Sequence, residues 1–479
     1  MGDSSQSQRF SSPLIDRYAG QNMTRLFSPM ERTRAWRDMW IALAQAQHEL
    51  GLPVTAEQIE DLREHREDID LDRVAELEKD LRHDVMAHVH HFGECAPSAK
   101  GIIHLGATSA FVTDNADLII YRKALQEIER RLCRAIAALA TFAREHRDLA
   151  CLGYTHFQVA QPVTVGKRAC LWLQDLLLDL DEVRRIVQWL PCRGVKGTTG
   201  TQASFLSLFD GDHDKVRALD VKVAAAIGFE SVIPVSGQTY TRKLDWTIHQ
   251  ALSGIAQSTA KFANDLRLLS HEGEVEEPSE ASQVGSSAMP YKKNPMRCER
   301  INSLARYAMA AADTAAQTAA AQWLERTLDD SAIRRIALPE SMLAIDAILI
   351  LVENVSSGMV VFPRVIEKKL EEKLPFLASE EILMAGVRAG GDRQVLHERL
   401  RVHAWEAARR VKEEGVNPLL DLIGADPAFS AIADGLGQLL DPARFVGRAP
   451  AQVSEFLSSE VEPRLAGFAG DEEPDELRV

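Results

Sequence analysis

Between residues 285 and 295 the chain reads Gly-Ser-Ser-Ala-Met-Pro-Tyr-Lys-Lys-Asn-Pro, and an acidic run (Glu272, Glu274, Glu276, Glu277, Glu280) precedes it. From 285 to 300 the charges are Lys292, Lys293, Arg297 and Arg300 against Glu299, a net 4 − 1 = +3 in a chain of net −15. Such a local reversal marks an anion site; the structural alternative is a solvated basic turn. A second cationic set, Arg326, Ser331, Arg334 and Arg335, can meet phosphate or carboxylate in forked hydrogen bonds. Arg82-His83-Asp84 can read a phosphate and orient a base, or can be a capped helix end with solvated histidines. His88, His90 and His91 invite a metal reading, but zinc sites need three or four ligands at defined spacing. No HExxH or carboxylate partner completes this cluster, so no metal is expected. In His104-Leu105-Gly106-Ala107-Thr108-Ser109, two hydroxyls after a glycine suit anion capture, with a helix N-cap at Ser109 or Thr113 as the rival. In Gly153-Tyr154-Thr155-His156-Phe157-Gln158, His156 has hydroxyl and amide neighbours. An imidazole of ordinary pKa suits general acid work at neutral pH, although a lone histidine is often a satisfied core residue.

These segments lie between long helical patterns. Ser28, Pro29 and Glu31 read as N-cap, N1 and N3 of a first helix that Gly51 and Pro53 stop, and Thr55 with Gln58 starts another. Leu118, Tyr121, Leu125, Ile128, Leu132, Ala135, Leu139 and Phe142 keep an alternating three–four spacing, which predicts a helix over 114–147, roughly 50 Å long at 1.5 Å per residue. Similar seams run from Ala169 to Leu190 and from Leu244 to Leu269. Two Ala-rich ones cover about 295–323 and 331–352, with Pro339 expected to kink the last. Repeated alanines from Ala308 to Ala320 permit close approach of helices, between subunits as well as within one. The predicted fold is all-α: an N-terminal helical domain (1–108), a central long-helix bundle (109–361) and a C-terminal helical domain (362–479).

Composition excludes several classes. The chain has 479 residues, 55 Lys plus Arg and 70 Asp plus Glu, so nucleic acid and anionic membrane surfaces are not expected partners. The most apolar stretch, Leu343 to Val352, is too short for a bilayer span and contains Asp346. The first residues carry no secretory pattern, and Gln6 stands where a myristoylation signal wants Ser or Thr. Six scattered cysteines without a CxxC pair fit reduced thiols and a cytoplasmic location.

GSSAMPYKKNP resembles the signature loop of the fumarase/aspartase superfamily, whose members cleave C–N or C–O bonds and release fumarate. Its Pro-Tyr-Lys interior, with RHDVMAHVH, HLGATS, GYTHFQ, RGVKGTTGTQASF, GQTYTRK and ERTLDDSAIRR, is similar to the branch acting on adenylosuccinate, a purine nucleotide joined to succinate. The resemblance runs from Arg17-Tyr18 to about residue 460. Val159 and Lys293 depart from the family's usual proline and arginine but keep the local chemistry. It implies the three-domain fold, a homotetramer whose active sites draw on three subunits, no cofactor, and elimination of fumarate from adenylosuccinate and from the succinyl-carboxamide ribotide SAICAR. Motif by motif, it makes His156 the general acid and Ser286, rather than Ser287, the general base. Lys292 and Asn294 would hold the succinyl carboxylate, and Gln238 and Thr155 would touch substrate. Arg17, Tyr18, Arg82, His83, Asp84, Thr108, Ser109, Arg300, Arg326, Ser331 and Arg335 would bind nucleotide, phosphate or succinyl groups.

That chemistry asks much of these residues. A proton beside a carboxylate is very weakly acidic, so the dianion formed on its removal needs fixed cations and donors. Serine is a poor base unless activated by its surroundings, and a loop closing over substrate excludes the water that would weaken them. Phosphate-binding capacity at Arg82, His83 and the Arg326 to Arg335 set favours a nucleotide over an argininosuccinate-type substrate. Retention of His156 and the loop serines argues against a non-catalytic structural protein or helical scaffold.

Overall fold

A computed structural model describes residues 10–280, 288–289 and 291–468. The first long helix, α1 (Pro29–Glu49), is capped by Ser28, whose hydroxyl accepts from Glu31 N, and Gly51 takes a positive φ just beyond it. α2 (Ala56–Glu64) opens on a full capping box of Thr55 and Gln58. α3 (Leu71–Leu81) and α4 (Asp84–Cys95) meet at a sharp junction described below. Five long helices follow: α5 (Ser109–Glu145), α6 (Val165–Trp189), α7 (Lys243–His271), α8 (Met296–Ala320) and α9 (Asp329–Gly358). α5 starts earlier than its predicted seam, because its first turn already buries Ala110, Phe111 and Val112. α9 runs on through Pro339.

The fold is predominantly helical, and the described residues include two small antiparallel sheets that the periodicity does not reveal. β1 (Ala150–Thr155) pairs with β2 (Gln158–Thr164), and β3 (Val275–Glu276) with β4 (Val360–Val361). In β1 the register shifts at Gly153, where a Cβ would stand 2.2 Å from Gln161 O.

Cross-helix contacts fix the direction of each rod. Trp172 Nε1 donates to Asp265 Oδ2 at 2.7 Å and Gly254 faces Asp179, so α6 and α7 are antiparallel. Arg297 donates to Asn354 Oδ1 at 2.8 Å and Tyr307 to Glu340, so α8 and α9 are antiparallel. Arg334 meets Asp117 at 3.1 Å and Arg134 meets Glu353 at 2.8 Å, so α5 and α9 run parallel. The bundle therefore has two distinct ends, separated by the length of α5, 37 residues and about 55 Å. One end carries the starts of α5, α7 and α9. The other carries the β1–β2 hairpin and the start of α8.

One apolar core runs from Leu14 to Leu370 and is rejoined by Val453, Leu457 and Val461. A second, smaller core lies between Ala378 and Leu436, around α10 (Arg393–Glu414). None of the described helices is long and apolar enough to cross a membrane.

Candidate active site

The start of α5 opens onto a cavity of about 510 Å³, lined among others by Arg82, His83, Asp84, Ser109, Gln238, Arg326, Ser331 and Arg335. Eight of the residues expected to bind substrate thus meet in one place. Three helix N-termini point there: α4 through Asp84, α5 through Ser109, and α9 through Ser331 in its first turn. Unpaired backbone N–H groups and the helix dipoles make such ends favourable for anions.

The Arg82-His83-Asp84 junction is a capped helix end and a cavity wall at once. Arg82 closes α3 in the left-handed conformation (φ 54°), and His83 N-caps α4, its Nδ1 accepting from Met86 N at 3.3 Å. That bond fixes the tautomer: Nδ1 is the acceptor, and Nε2 bears the hydrogen and lies 3.3 Å from Ser109 Oγ. Asp84 is stabilised as a carboxylate; burial pushes its pKa up, but the Val85 N–H and Arg335 at 3.0 Å outweigh that. The other histidines do not behave as solvated side chains. His88 is buried against the Trp36 ring at 4.8 Å, which pushes its pKa down to about 4, and His91 is buried with Nε2 accepting from Asp70 N; only His90 is exposed. No metal-holding group of three such ligands occurs among the described residues.

Beneath the cavity lies a buried ionic layer. Arg242 donates to Asp330 at 2.6 Å and to Asp114 at 3.1 and 3.2 Å; Arg334 donates to Asp245 at 2.6 Å. Burial raises the Asp117 pKa to about 6 despite Arg334, whereas in Asp114 three arginines, Arg242, Arg334 and Arg193, overcome burial and lower it. The consecutive cations of the sequence divide here. Arg334 points into this layer, while Arg335 is 59% exposed and faces the cavity. Arg326 is bonded to Asp330 at 3.0 Å. Asp114, Asp330 and Arg242 are cavity-side groups that sequence reasoning missed, since nothing in their spacing signals a long-range ionic layer.

The remaining expected residues stand elsewhere. Thr108, the N-cap of α5, makes no side-chain capping bond. Thr155 and His156 are exposed on the β1–β2 hairpin, at the far end of the bundle. His156 and Phe157 form its two-residue turn, with φ of 53° and 55°. Positive φ at both positions is the type I′ requirement, normally met by Asn-Gly, so the hairpin carries no turn signal in the sequence. A bulky residue there is strained, and strain of this kind concentrates at functional sites.

Ser286 and Ser287 lie outside the described residues, but both flanks of their loop are anchored near the hairpin. Glu277 accepts from Arg297 N and Cys298 N at 3.0 Å, and Tyr154 donates to buried Glu274 at 2.8 Å. Lys292 is exposed and Asn294 half-buried. Arg297, counted above among the anion-directed charges, is instead a buried structural residue bonded to Pro278 O and Asn354. A third group forms where the Arg300 guanidinium sits 5.5 Å from the Tyr18 ring, with exposed Arg17 beside it in the turn Leu14–Tyr18.

Residues 12–310 match the family described as Lyase, and residues 375–456 match the adenylosuccinate lyase C-terminus. The chain is 52% identical over 463 residues to adenylosuccinate lyase of Saccharomyces cerevisiae, covering 96% of each chain. It is 50% identical to that of Schizosaccharomyces pombe, again over 96% of each. The chain belongs to the adenylosuccinate lyase family. The fold is that of the wider fumarase/aspartase superfamily. 3-Carboxy-cis,cis-muconate lactonizing enzyme from Pseudomonas putida superimposes with a TM-score of 0.82 at 23% identity, over 95% of this chain and 100% of its own. For an adenylosuccinate lyase family member, the division of its polar residues into separate groups is the feature that needs explaining.

Proposed function

We propose that this chain eliminates fumarate from adenylosuccinate, leaving AMP, and does the same to SAICAR in purine nucleotide synthesis in the cytoplasm. The cavity at three helix N-termini, in a chain half identical to adenylosuccinate lyases, carries the reading, because a nucleotide substrate needs a built phosphate site. Ser286 takes the proton from the succinyl carbon beside the carboxylate. The electron pair forms the new C=C bond, the C–N bond breaks, and His156 protonates the departing nitrogen. Lys292, Asn294, Thr108 and Ser109 stabilise the dianion that forms on proton removal. Arg17, Tyr18, Thr155, Gln238 and Arg300 contact the substrate, with Arg82, His83, Asp84, Arg326, Ser331 and Arg335 at its phosphate and nucleotide.

One chain cannot perform this alone. The cavity and His156 sit at opposite ends of a bundle whose longest helix spans about 55 Å, far beyond the reach of one substrate. We infer a homotetramer of three-domain subunits that places the hairpin and loop of one copy over the cavity of another. Leu171 and Leu178, 46% and 64% exposed on α6, and the Ala-rich α8 supply apolar surface for that packing. Adding adenylosuccinate to purified protein while following ultraviolet absorbance tests the activity. A folded, assembled protein that leaves the absorbance unchanged would sink the reading.

A further inference from the structure

Six arginines line the cavity: Arg32, Arg82, Arg242, Arg326, Arg334 and Arg335. Four of them already face carboxylates, namely Arg242 with Asp114 and Asp330, Arg334 with Asp245, Arg326 with Asp330, and Arg335 with Asp84. Arg32 differs. Its side chain carries no hydrogen bond or ion pair among the described residues, and its Nε is buried without a partner. Its guanidinium is held 5.6 Å from the Trp36 ring, and it lies close enough to His88 to help keep that imidazole neutral. A buried donor left unsatisfied costs about 1–3 kcal/mol, and native structures rarely tolerate one without a reason.

Stacking on Trp36 restricts the guanidinium, so little freedom is lost when an anion arrives. We propose that Arg32 is a further substrate-binding residue, which with Arg82 supplies the unneutralised positive charge that receives the phosphate of the nucleotide. This rests on the substrate reading given above. Arg32 is placed by α1, away from every motif that carries the resemblance, and no spacing in the sequence singles it out among its neighbours Arg25, Arg34 and Arg37.

Steady-state kinetics with adenylosuccinate tests the assignment. Arg32→Met is expected to raise KM about tenfold or more, the loss of a charge-assisted hydrogen bond, with a much smaller change in kcat. That split is the mark of uniform binding removed away from the reacting atoms. Competitive inhibition by inorganic phosphate should weaken by a similar factor, and Arg32→Lys should recover most of both. Unchanged KM and unchanged phosphate inhibition in Arg32→Met would overturn the assignment. So would a lysine variant that recovers thermal stability but not phosphate inhibition. Calorimetric titration with inorganic phosphate separates the two readings. Wild-type protein that binds phosphate through Arg32 but leaves adenylosuccinate intact would defeat the substrate reading alone.

Discussion

At the residue scale, neighbours in sequence do different work because a helix turns about 100° per residue. Arg334 is 9% exposed and bonded to Asp245, while Arg335 faces the cavity. Removing one partner of a buried ion pair costs about 3–5 kcal/mol. Arg334→Ala should therefore lower the melting temperature sharply in thermal denaturation. Arg335→Ala should leave the melt nearly unchanged and raise KM. Equal melting temperatures for the two would refute this division. For the proposed reacting groups, Ser286→Ala and His156→Ala are each expected to cut kcat by at least about a hundredfold, the low end of general acid–base effects. Near-wild-type turnover in purified, assembled variants would overturn these roles. Most of these residues could be read from motifs, since each motif is local. Asp114 and Arg242 could not, because their significance comes from which distant side chain they meet, and Arg32 could not, because it is set apart by meeting no carboxylate.

At the element scale, the hairpin is the feature the apolar pattern hid. Its strands are short, its turn is built from His156 and Phe157 instead of Asn-Gly, and its bulge depends on the missing side chain of Gly153. A methyl group at residue 153 would collide with Gln161 O, so Gly153→Ala should displace the turn. We expect kcat to fall about tenfold or more, since misplacing a catalytic group by about 1 Å can cost a hundredfold, while the affinity for AMP stays unchanged in calorimetry. A wild-type kcat would show that the bulge does not set the position of His156. The seam between α6 and α7 holds Asp179, whose Oδ2 lacks a partner and whose pKa burial raises to about 7, with Asp175 adding to the shift. A carboxyl whose folded pKa is raised binds its proton more tightly folded than unfolded. Its contribution to stability is thus fully present below the unfolded value near 3.9 and is lost as pH rises to about 7. Asp179→Asn should accordingly raise the melting temperature more at pH 8 than at pH 5.5, and an equal gain at both would exclude this titration.

At the scale of the whole molecule, the separation of cavity and hairpin predicts complementation. Protein carrying only His156→Ala and protein carrying only Arg335→Ala should each be weak, whereas co-expression should give mixed assemblies more active than either parent. Mixed assemblies no more active than the parents would mean that both groups serve one site within a single chain. By itself, the sequence determined the rods and the chemistry. Three–four spacing makes one face of each long segment apolar, and local motifs carry the charges and hydroxyls an elimination needs. Only the tertiary structure decided which of those charges are neutralised and which remain available. It also decided that the polar groups of one chain divide between the two ends of the bundle, because helix direction, ion pairing and distance depend on contacts between residues remote in sequence, for which local spacing carries no signal.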